Sequence, residues 1–341
     1  MRRAAEYRSI RGYVVGIVRA HPAFMESPMS EPFQPDHLRP LLRPLAAAHL
    51  DLPALQAYRS FYGFDLAARF AGLDNRLGSF NAAGYQIAVQ LWAPAEPQGT
   101  LLLLHGYYDH MGLYRHVVDW ALSMNFAVLA CDLPGHGLSS GARASIGDFA
   151  EYQQVLAGLF EQASELGLPQ PWHLCGQSTG GAILLDYLLA DGKRPELGQS
   201  ILLAPLVRPR AWAWSKLSYR MLSPFVREIP RRFSENSSDA TFIDFVHNLD
   251  PLQPRSLPTA WVGALAKWVP HVEAAGRSTH SPLIIQGEAD MTVDWRYNLE
   301  VLQDKFHQPQ ILRLADARHH LANENETLRK HYFDFLRERL A

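Results

Sequence analysis

The hydrophobic pattern changes rhythm twice along the chain. Residues 1 to 75 are punctuated by proline and then become helix-like, as in LPALQAYRSFYGFDLAARFAGL, where aromatic and aliphatic residues recur near helical spacing. From residue 79 onward the texture is that of strands: YQIAVQLWAP alternates apolar and polar positions, as a half-buried strand does. Short continuous apolar runs follow, TLLLLHG, FAVLACD, PWHLCGQ, SILLAPL, PLIIQGE and PQILRLA, the pattern of strands buried on both faces. Helical patterns separate them: YRHVVDWALSMN, FAEYQQVLAGLFEQASELG and GGAILLDYLLADG, the last with glycine in the usual stop position. Strand and helix alternating in this way predict an α/β fold with a mostly parallel central sheet flanked by helices on both faces.

The second change comes at residues 206–278, which separate two core strands by far more than the connections usual in such folds. Something is inserted there. The layout is therefore an N-terminal, partly helical extension (1–75), a core in two pieces (76–205 and 279–341) and an insertion (206–278). Trp212, Trp214, Tyr219, Phe225, Phe233, Phe242, Phe245, Trp261 and Trp268 fall in the insertion. At least half are expected to form its own small core. The remainder, with Tyr108 from the core, are candidates to line a pocket for an apolar substrate: Trp212, Trp214, Phe225 and Trp261.

Composition narrows the function. At 341 residues and 48% hydrophobic the chain can bury a sizeable core. Its 32 Lys and Arg against 34 Asp and Glu leave a formal charge of -2, so no overall field holds nucleic acid or an anionic membrane by charge alone. A small-molecule partner is favoured. The two cysteines, Cys131 and Cys175, each close an apolar stretch and read as small buried residues, not as a disulfide. The fifteen histidines show no ligand-spaced pair on one helix, so no metal is expected. No apolar run approaches the roughly 20 residues that span a bilayer. The start, MRRAAEYRSIRGYVVGIVRAHPAF, lacks a signal-peptide core and cleavage site, which makes a cytoplasmic location the expectation.

The stretch HLCGQSTGGAILL carries the chemistry. A strand before it and a helix after it would force Ser178 onto a strained turn with its hydroxyl exposed above the sheet, the setting of a nucleophile; the alternative is a helix-capping serine. Gly176 and Gly180 are required because side chains there would collide across the turn. A serine nucleophile needs a base and an orienting acid further along the chain. Asp290 lies just past the strand PLIIQGE, and Asp294 is its rival, placed to begin the next helix. The loop after the last strand, ARHHLANE, offers His319 and His320, with Asp316 as a turn residue nearby. The developing oxyanion requires two backbone N–H groups. Thr179 follows the nucleophile and supplies one; Tyr107 in LLLLHGYYDH supplies the other, with His105 and Gly106 shaping the loop and His105 a structural hydrogen-bonder.

These motifs resemble a known family. HGYYDHMGLYRHV is similar to the HGxxxHxxxY segment of monoacylglycerol lipases and bacterial lysophospholipase-like esterases, with His110 and Tyr114 on the matching positions. DLPGHGLSSG resembles their architectural D-x-x-G-H-G-x-S signature through Asp132, Gly135, His136, Gly137 and Ser139. GQSTGG is similar to their nucleophile elbow and ARHHLANE to their terminal histidine motif, which selects His319 over His320. The resemblance spans residues 79 to 340 in order and implies an α/β-hydrolase fold with a helical cap inserted after the sixth core strand. It also implies a Ser178–His319–Asp290 triad that needs no cofactor, acting on a small acyl ester or lipid: a monoacylglycerol, a lysophospholipid or a short synthetic ester. Transient contact with a membrane surface is compatible with such a substrate. Related members are serine aminopeptidases, so an aminopeptidase of the same fold is the alternative, and a binding protein without catalysis a further one. The YYD after HG departs from the family's commoner small and acidic residues, and the first 75 residues lie outside the resemblance.

Overall fold

The computed structural model describes residues 33–48, 52–190, 192 and 195–340. The basic opening segment, and with it any leader, lies outside the described residues. Eight strands form the central sheet: β1 (Asp74–Ala82), β2 (Tyr85–Ala93), β3 (Thr100–Leu104), β4 (Ala127–Cys131), β5 (Trp172–Gln177), β6 (Leu197–Leu203), then β9 (Leu283–Gly287) and β10 (Gln310–Leu314) after a two-stranded ribbon, β7 (Glu228–Pro230) and β8 (Ser256–Pro258). Their order across the sheet is β1-β2-β4-β3-β5-β6-β9-β10. The pairs β1–β2 and β2–β4 are antiparallel and every later pair is parallel. The α/β architecture read from the sequence is the architecture found.

Each strand sends alternate side chains to opposite faces, so a continuous apolar run serves two cores. Leu101 and Leu103 of β3 join Val128, Ala130, Ile201 and Ile285 on one face, under the helices Arg115–Ser123 and Glu326–Leu340. Leu102 and Leu104 join Leu129, Cys131, Leu174 and Ile284 on the other, under Ala150–Glu165, Thr179–Leu189 and Trp295–Lys305. Cys131 and Cys175 are both free and buried in strands. The helix Thr179–Leu189 stops earlier than its glycine suggests: Ala190 is already extended, and Gly192 adopts its positive φ in the turn beyond.

The N-terminal residues are less separate than the sequence suggests. β1, which the alternation missed because only Leu77 and Phe80 are large and apolar, starts at Asp74. The helix Pro53–Tyr62 buries Leu55, Ala57, Tyr58 and Tyr62. Phe33, Tyr58, Tyr62 and Phe64 join the same core face as β3, so this segment is a layer of the core.

Between β6 and β9 the chain leaves the sheet. It builds the helix Trp212–Leu222, the β7–β8 ribbon, a short helix Ala240–Asp244 that continues as a wide turn Phe245–Leu249, and the helix Thr259–Ala274. Its aromatic residues make less of a separate core than expected. Trp268 stacks on Phe149 of the sheet's covering layer, Trp261 donates to the Tyr152 hydroxyl, and Phe242 and Phe245 join the main core.

Candidate active site

Ser178, Asp290 and His319 lie beyond the C-terminal ends of the parallel strands β5, β9 and β10, the edge where open α/β sheets place their sites. Ser178 follows β5 with φ +52° and ψ -109°, a conformation that non-glycine residues rarely adopt. The strain is held from several sides. The Ser178 N–H donates to the Leu203 carbonyl (2.8 Å), and its own carbonyl accepts from Ala182 and Leu206. A Cβ on Gly176 would run into the Gly180 backbone, and one on Gly180 into the Leu104 carbonyl, so both positions exclude any side chain.

The Ser178 hydroxyl donates to His319 Nε2 at 2.9 Å, and His319 Nδ1 donates to Asp290 Oδ2 at 2.7 Å. All three side chains are buried. The other oxygen of Asp290 accepts from the Thr292 and Val293 N–H groups, and Gln286 Nε2 donates to Oδ2. Burial by itself would raise the Asp290 carboxyl, but the adjacent imidazole and these donors hold it below its ordinary range. Burial likewise pushes His319 down, yet the Asp290 carboxylate, with help from Asp109, leaves it above the ordinary histidine value. The rival residues are placed elsewhere. Asp294 is exposed at the start of the helix Trp295–Lys305 and Asp316 is exposed in a turn. His320 turns away from Ser178, its Nε2 3.1 Å from Asp109.

Position 177 carries a residue the sequence did not single out. Gln177, buried beneath the elbow, donates from Nε2 to the His319 carbonyl (2.7 Å) and accepts from the Ala322 N–H at Oε1 (3.2 Å). It ties the histidine loop to the strand that carries the nucleophile. Its partners stand 142 and 145 positions away in the chain, so no local pattern reveals them.

The loop after β3 abuts the elbow, with a Cβ on Gly106 falling 3.4 Å from Ser178 Cβ. Thr179 is the first residue of its helix, where an N–H has no partner within the helix. Tyr107 follows Gly106 in that loop. The rest of the motif fixes that loop. The Gly106 N–H donates to the Tyr114 hydroxyl (2.9 Å), which donates to Asp109 (2.9 Å). His105 Nε2 accepts from Leu133 N–H (2.8 Å), which places the proton on Nδ1 for the Gly106 carbonyl (2.7 Å). It is therefore a buried linker held neutral, and burial lowers its pKa. Asp132 accepts from the Met111 and Leu138 N–H groups, and Ser139 bridges the Asp132 carbonyl to the Ala88 N–H, an architectural use of that signature.

A second buried cluster joins three regions. Asp250 of the insertion accepts from the Tyr62 hydroxyl (2.7 Å), His110 Nε2 (2.9 Å) and Gln253 Nε2 (2.8 Å). N-terminal segment, site loop and insertion are thereby pinned at one point. Burial opposes both charges of the His110–Asp250 pair, but their mutual attraction raises the histidine and lowers the carboxyl.

An apolar cavity of about 280 Å³ lies within the insertion, with Trp212, Trp214, Tyr219, Trp261, Val262 and Leu265 among its walls. Ser178 is not one of them. The link is Trp261, which borders the cavity and stacks on Tyr107 with ring centroids 3.7 Å apart. Two expected pocket residues are corrected. Phe225 lies past the end of the helix Trp212–Leu222, on the outer surface. Tyr108 does not border the cavity, and its ring lies under the Arg231 guanidinium at 4.0 Å. Among the described residues no group of three or more His, Cys, Asp or Glu is placed to hold a metal ion, and no helix is long and apolar enough to cross a membrane.

Comparison with known proteins places the chain in a family. Residues 95–326 match the family described as serine aminopeptidase, S33. A monoglyceride lipase of Homo sapiens is 27% identical over 256 residues, covering 72% of this chain and 82% of that one. A soluble variant of monoglyceride lipase from Saccharomyces cerevisiae, solved with a substrate analogue, superposes with a TM-score of 0.66 at 17% identity, over 79% of this chain and 94% of that one. The monoacylglycerol lipase of Paleococcus ferrophilus gives 0.62 at 19% identity, over 74% and 98%. These two structures establish the likeness of fold.

Proposed function

The chain belongs to the serine aminopeptidase S33 family of α/β-hydrolases, and from that premise we propose that it is a serine hydrolase of carboxylic esters, acting on monoacylglycerol-type or lysophospholipid-type substrates. The observation that carries the reading is the unbroken relay from Ser178 Oγ through His319 to Asp290, at 2.9 and 2.7 Å. Ser178 Oγ attacks the ester carbonyl while His319 Nε2 takes its proton, and the Tyr107 and Thr179 N–H groups receive the charge that develops on the carbonyl oxygen. The alcohol leaves with the proton from His319. Water then repeats the sequence on the acyl-enzyme and releases the acid, with Asp290 holding the imidazole's tautomer throughout. The apolar cavity beyond Trp261 supports an acyl chain as the substrate's apolar part.

An aminopeptidase would need an acid to receive the substrate's amine. The insertion's scattered acids are engaged elsewhere: Glu228 with Ser256, Glu235 with Arg318, and Asp239 as the cap of its own helix. The test has two parts. Labelling with a fluorophosphonate should modify Ser178 and vanish in Ser178→Ala. The labelled enzyme class is then resolved by comparing turnover of monoacylglycerol, lysophosphatidylcholine and aminoacyl amides. Amide turnover above ester turnover would overturn the ester reading, and an unlabelled wild type would overturn catalysis by Ser178.

A further inference from the structure

The loop after β3 holds a residue in a backbone conformation that does not suit it. Tyr108, in the YYD stretch that departs from the family pattern, has φ +70°, a region that an aromatic residue rarely enters. Strain of this kind persists only where surrounding contacts over-determine it. Here those contacts are a column of rings. Trp261, on the wall of the apolar cavity, stacks on Tyr107 at 3.7 Å, and Tyr107 lies against Tyr108 at 4.1 Å. Arg231 of the insertion then lies over Tyr108, 4.0 Å from its ring centroid, and over Phe233 at 4.3 Å. The column runs from the apolar cavity, past the loop beside Ser178, to a cation.

That cation lacks a counter-charge. Both hydrogen bonds of Arg231 leave from Nη1, to Gln253 Oε1 (2.7 Å) and the Pro254 carbonyl (3.2 Å), and both acceptors are neutral. Its Nε and Nη2 have no partner among the described residues, although the side chain is half-buried. Burial lowers the pKa of Arg231, and the acid that opposes this most, Asp109, is already taken up by the Tyr114 hydroxyl and by His320. Arg255 adds to the imbalance. It lies over the same Phe233 ring at 5.0 Å, and its Nη1 donates to the neutral His247 carbonyl. The acids nearest to Arg231 in sequence, Glu228 and Glu235, are engaged with Ser256 and Arg318. An apolar side chain would brace Tyr108 equally well. A guanidinium with Nε and Nη2 unspent instead presents the planar edge that receives two oxygens of a phosphate.

We propose that Arg231 receives an anionic group on the alcohol side of the substrate, so that this chain prefers acyl esters of a phosphorylated alcohol to neutral monoacylglycerols. The preference rests on the ester-hydrolase reading, whereas the anion subsite does not. Its direction follows from the column: the apolar cavity and Arg231 are at the two ends, with the Ser178 loop between them. An ester whose acyl chain lies beyond Trp261 sends its alcohol towards Arg231. A phosphate one glycerol unit from the ester carbonyl then meets the Nε and Nη2 edge. Tyr108 is a positioning residue in this arrangement, held in its strained conformation to carry the cation.

Two measurements test the proposal. The first is calorimetric titration of Ser178→Ala protein with sn-glycerol 3-phosphate, with glycerol as the neutral control. The phosphate should bind more tightly than glycerol and be weakened by salt. Arg231→Gln should weaken it by about tenfold, the scale of a hydrogen bond to a charged group, and Arg231→Lys should recover part of that loss. Circular dichroism and the thermal midpoint check that both variants are folded. The second measurement compares wild-type kcat/KM for a 1-acylglycerol 3-phosphate and for the monoacylglycerol of the same chain. The phosphate ester should be favoured, and Arg231→Gln should bring the two values together, chiefly through KM of the phosphate ester. Glycerol phosphate binding no tighter than glycerol, or binding that Arg231→Gln leaves unchanged, would overturn the subsite. Equal values for the two esters in the wild type would overturn the preference. Turnover of neither ester would overturn the hydrolase reading and the preference together, and the titration decides the subsite separately.

Discussion

The triad and the first helix of the insertion lie in one chain under opposite physical rules. Around Ser178 directional bonds hold the reacting groups: His319 stands between two hydrogen bonds, Asp290 accepts from Thr292, Val293 and Gln286, and Gln177 clamps the backbone of the histidine loop. The helix Trp212–Leu222 gives an apolar cavity its wall through Trp212, Trp214, Tyr219 and Leu222, and leaves Leu217 and Met221 exposed. A reacting centre must be preorganised to fractions of an ångström, and directional bonds do that. An apolar cavity wall needs area but no fixed geometry. The contrast implies that substitutions in the first region should change rates and substitutions in the second should change which substrates the protein accepts.

The largest break in that contrast is Asp290→Asn. It preserves shape but loses the carboxylate that sets the His319 tautomer, and kcat should fall by about 10⁴, the scale of the same change in another serine hydrolase. Steady-state kinetics on a soluble ester reads it, with an unchanged circular dichroism spectrum as the check on folding. Gln177→Leu should cost about 10- to 100-fold in kcat with KM nearly unmoved, because it frees the histidine loop without touching the substrate side. A rise in KM instead would assign Gln177 to binding.

Filling the cavity sharpens the other half. Val262→Phe occupies space that about two methylenes of an acyl chain would fill, at about 0.8 kcal/mol each, so long-chain esters should lose roughly tenfold in kcat/KM while acetate esters are unchanged. Acidity offers a subtler test. His319 must be neutral to accept the Ser178 proton, and its pKa is raised in the folded protein, so kcat/KM should fall as pH drops through a midpoint above the ordinary histidine value of about 6.5. In Asp290→Asn, where the main raising influence is gone and burial remains, the residual activity should persist to lower pH. The smallest effect is expected from Tyr62→Phe. It removes one of several donors to the buried Asp250 and should lower stability by about 1–2 kcal/mol in denaturant unfolding, with little change in turnover.

Local order was legible in the sequence, and convergence was not. The runs TLLLLHG, FAVLACD and SILLAPL specified buried parallel strands because burial on both faces removes the polar alternation, and the resulting sheet is the one observed. The turn GQSTG announced its strain because only glycine fits where Gly176 and Gly180 pass so close to neighbouring backbone. β1 escaped notice because it sits at the sheet's edge with few large apolar residues, and Phe225 was misplaced because an aromatic ring in a sequence looks the same facing in or out.

What the sequence determined by itself was the set of elements, their order and the residue types at each strand end, since these follow from periodicity and backbone sterics over a few neighbouring residues. The motif resemblance named His319, but only the tertiary structure brought it to Ser178, fixed it with Gln177, and closed Tyr62, His110 and Asp250 on one buried point. Those choices depend on hydrogen bonds between groups more than a hundred positions apart. Such bonds take direction and distance only once the sheet has brought its strand ends to a common edge.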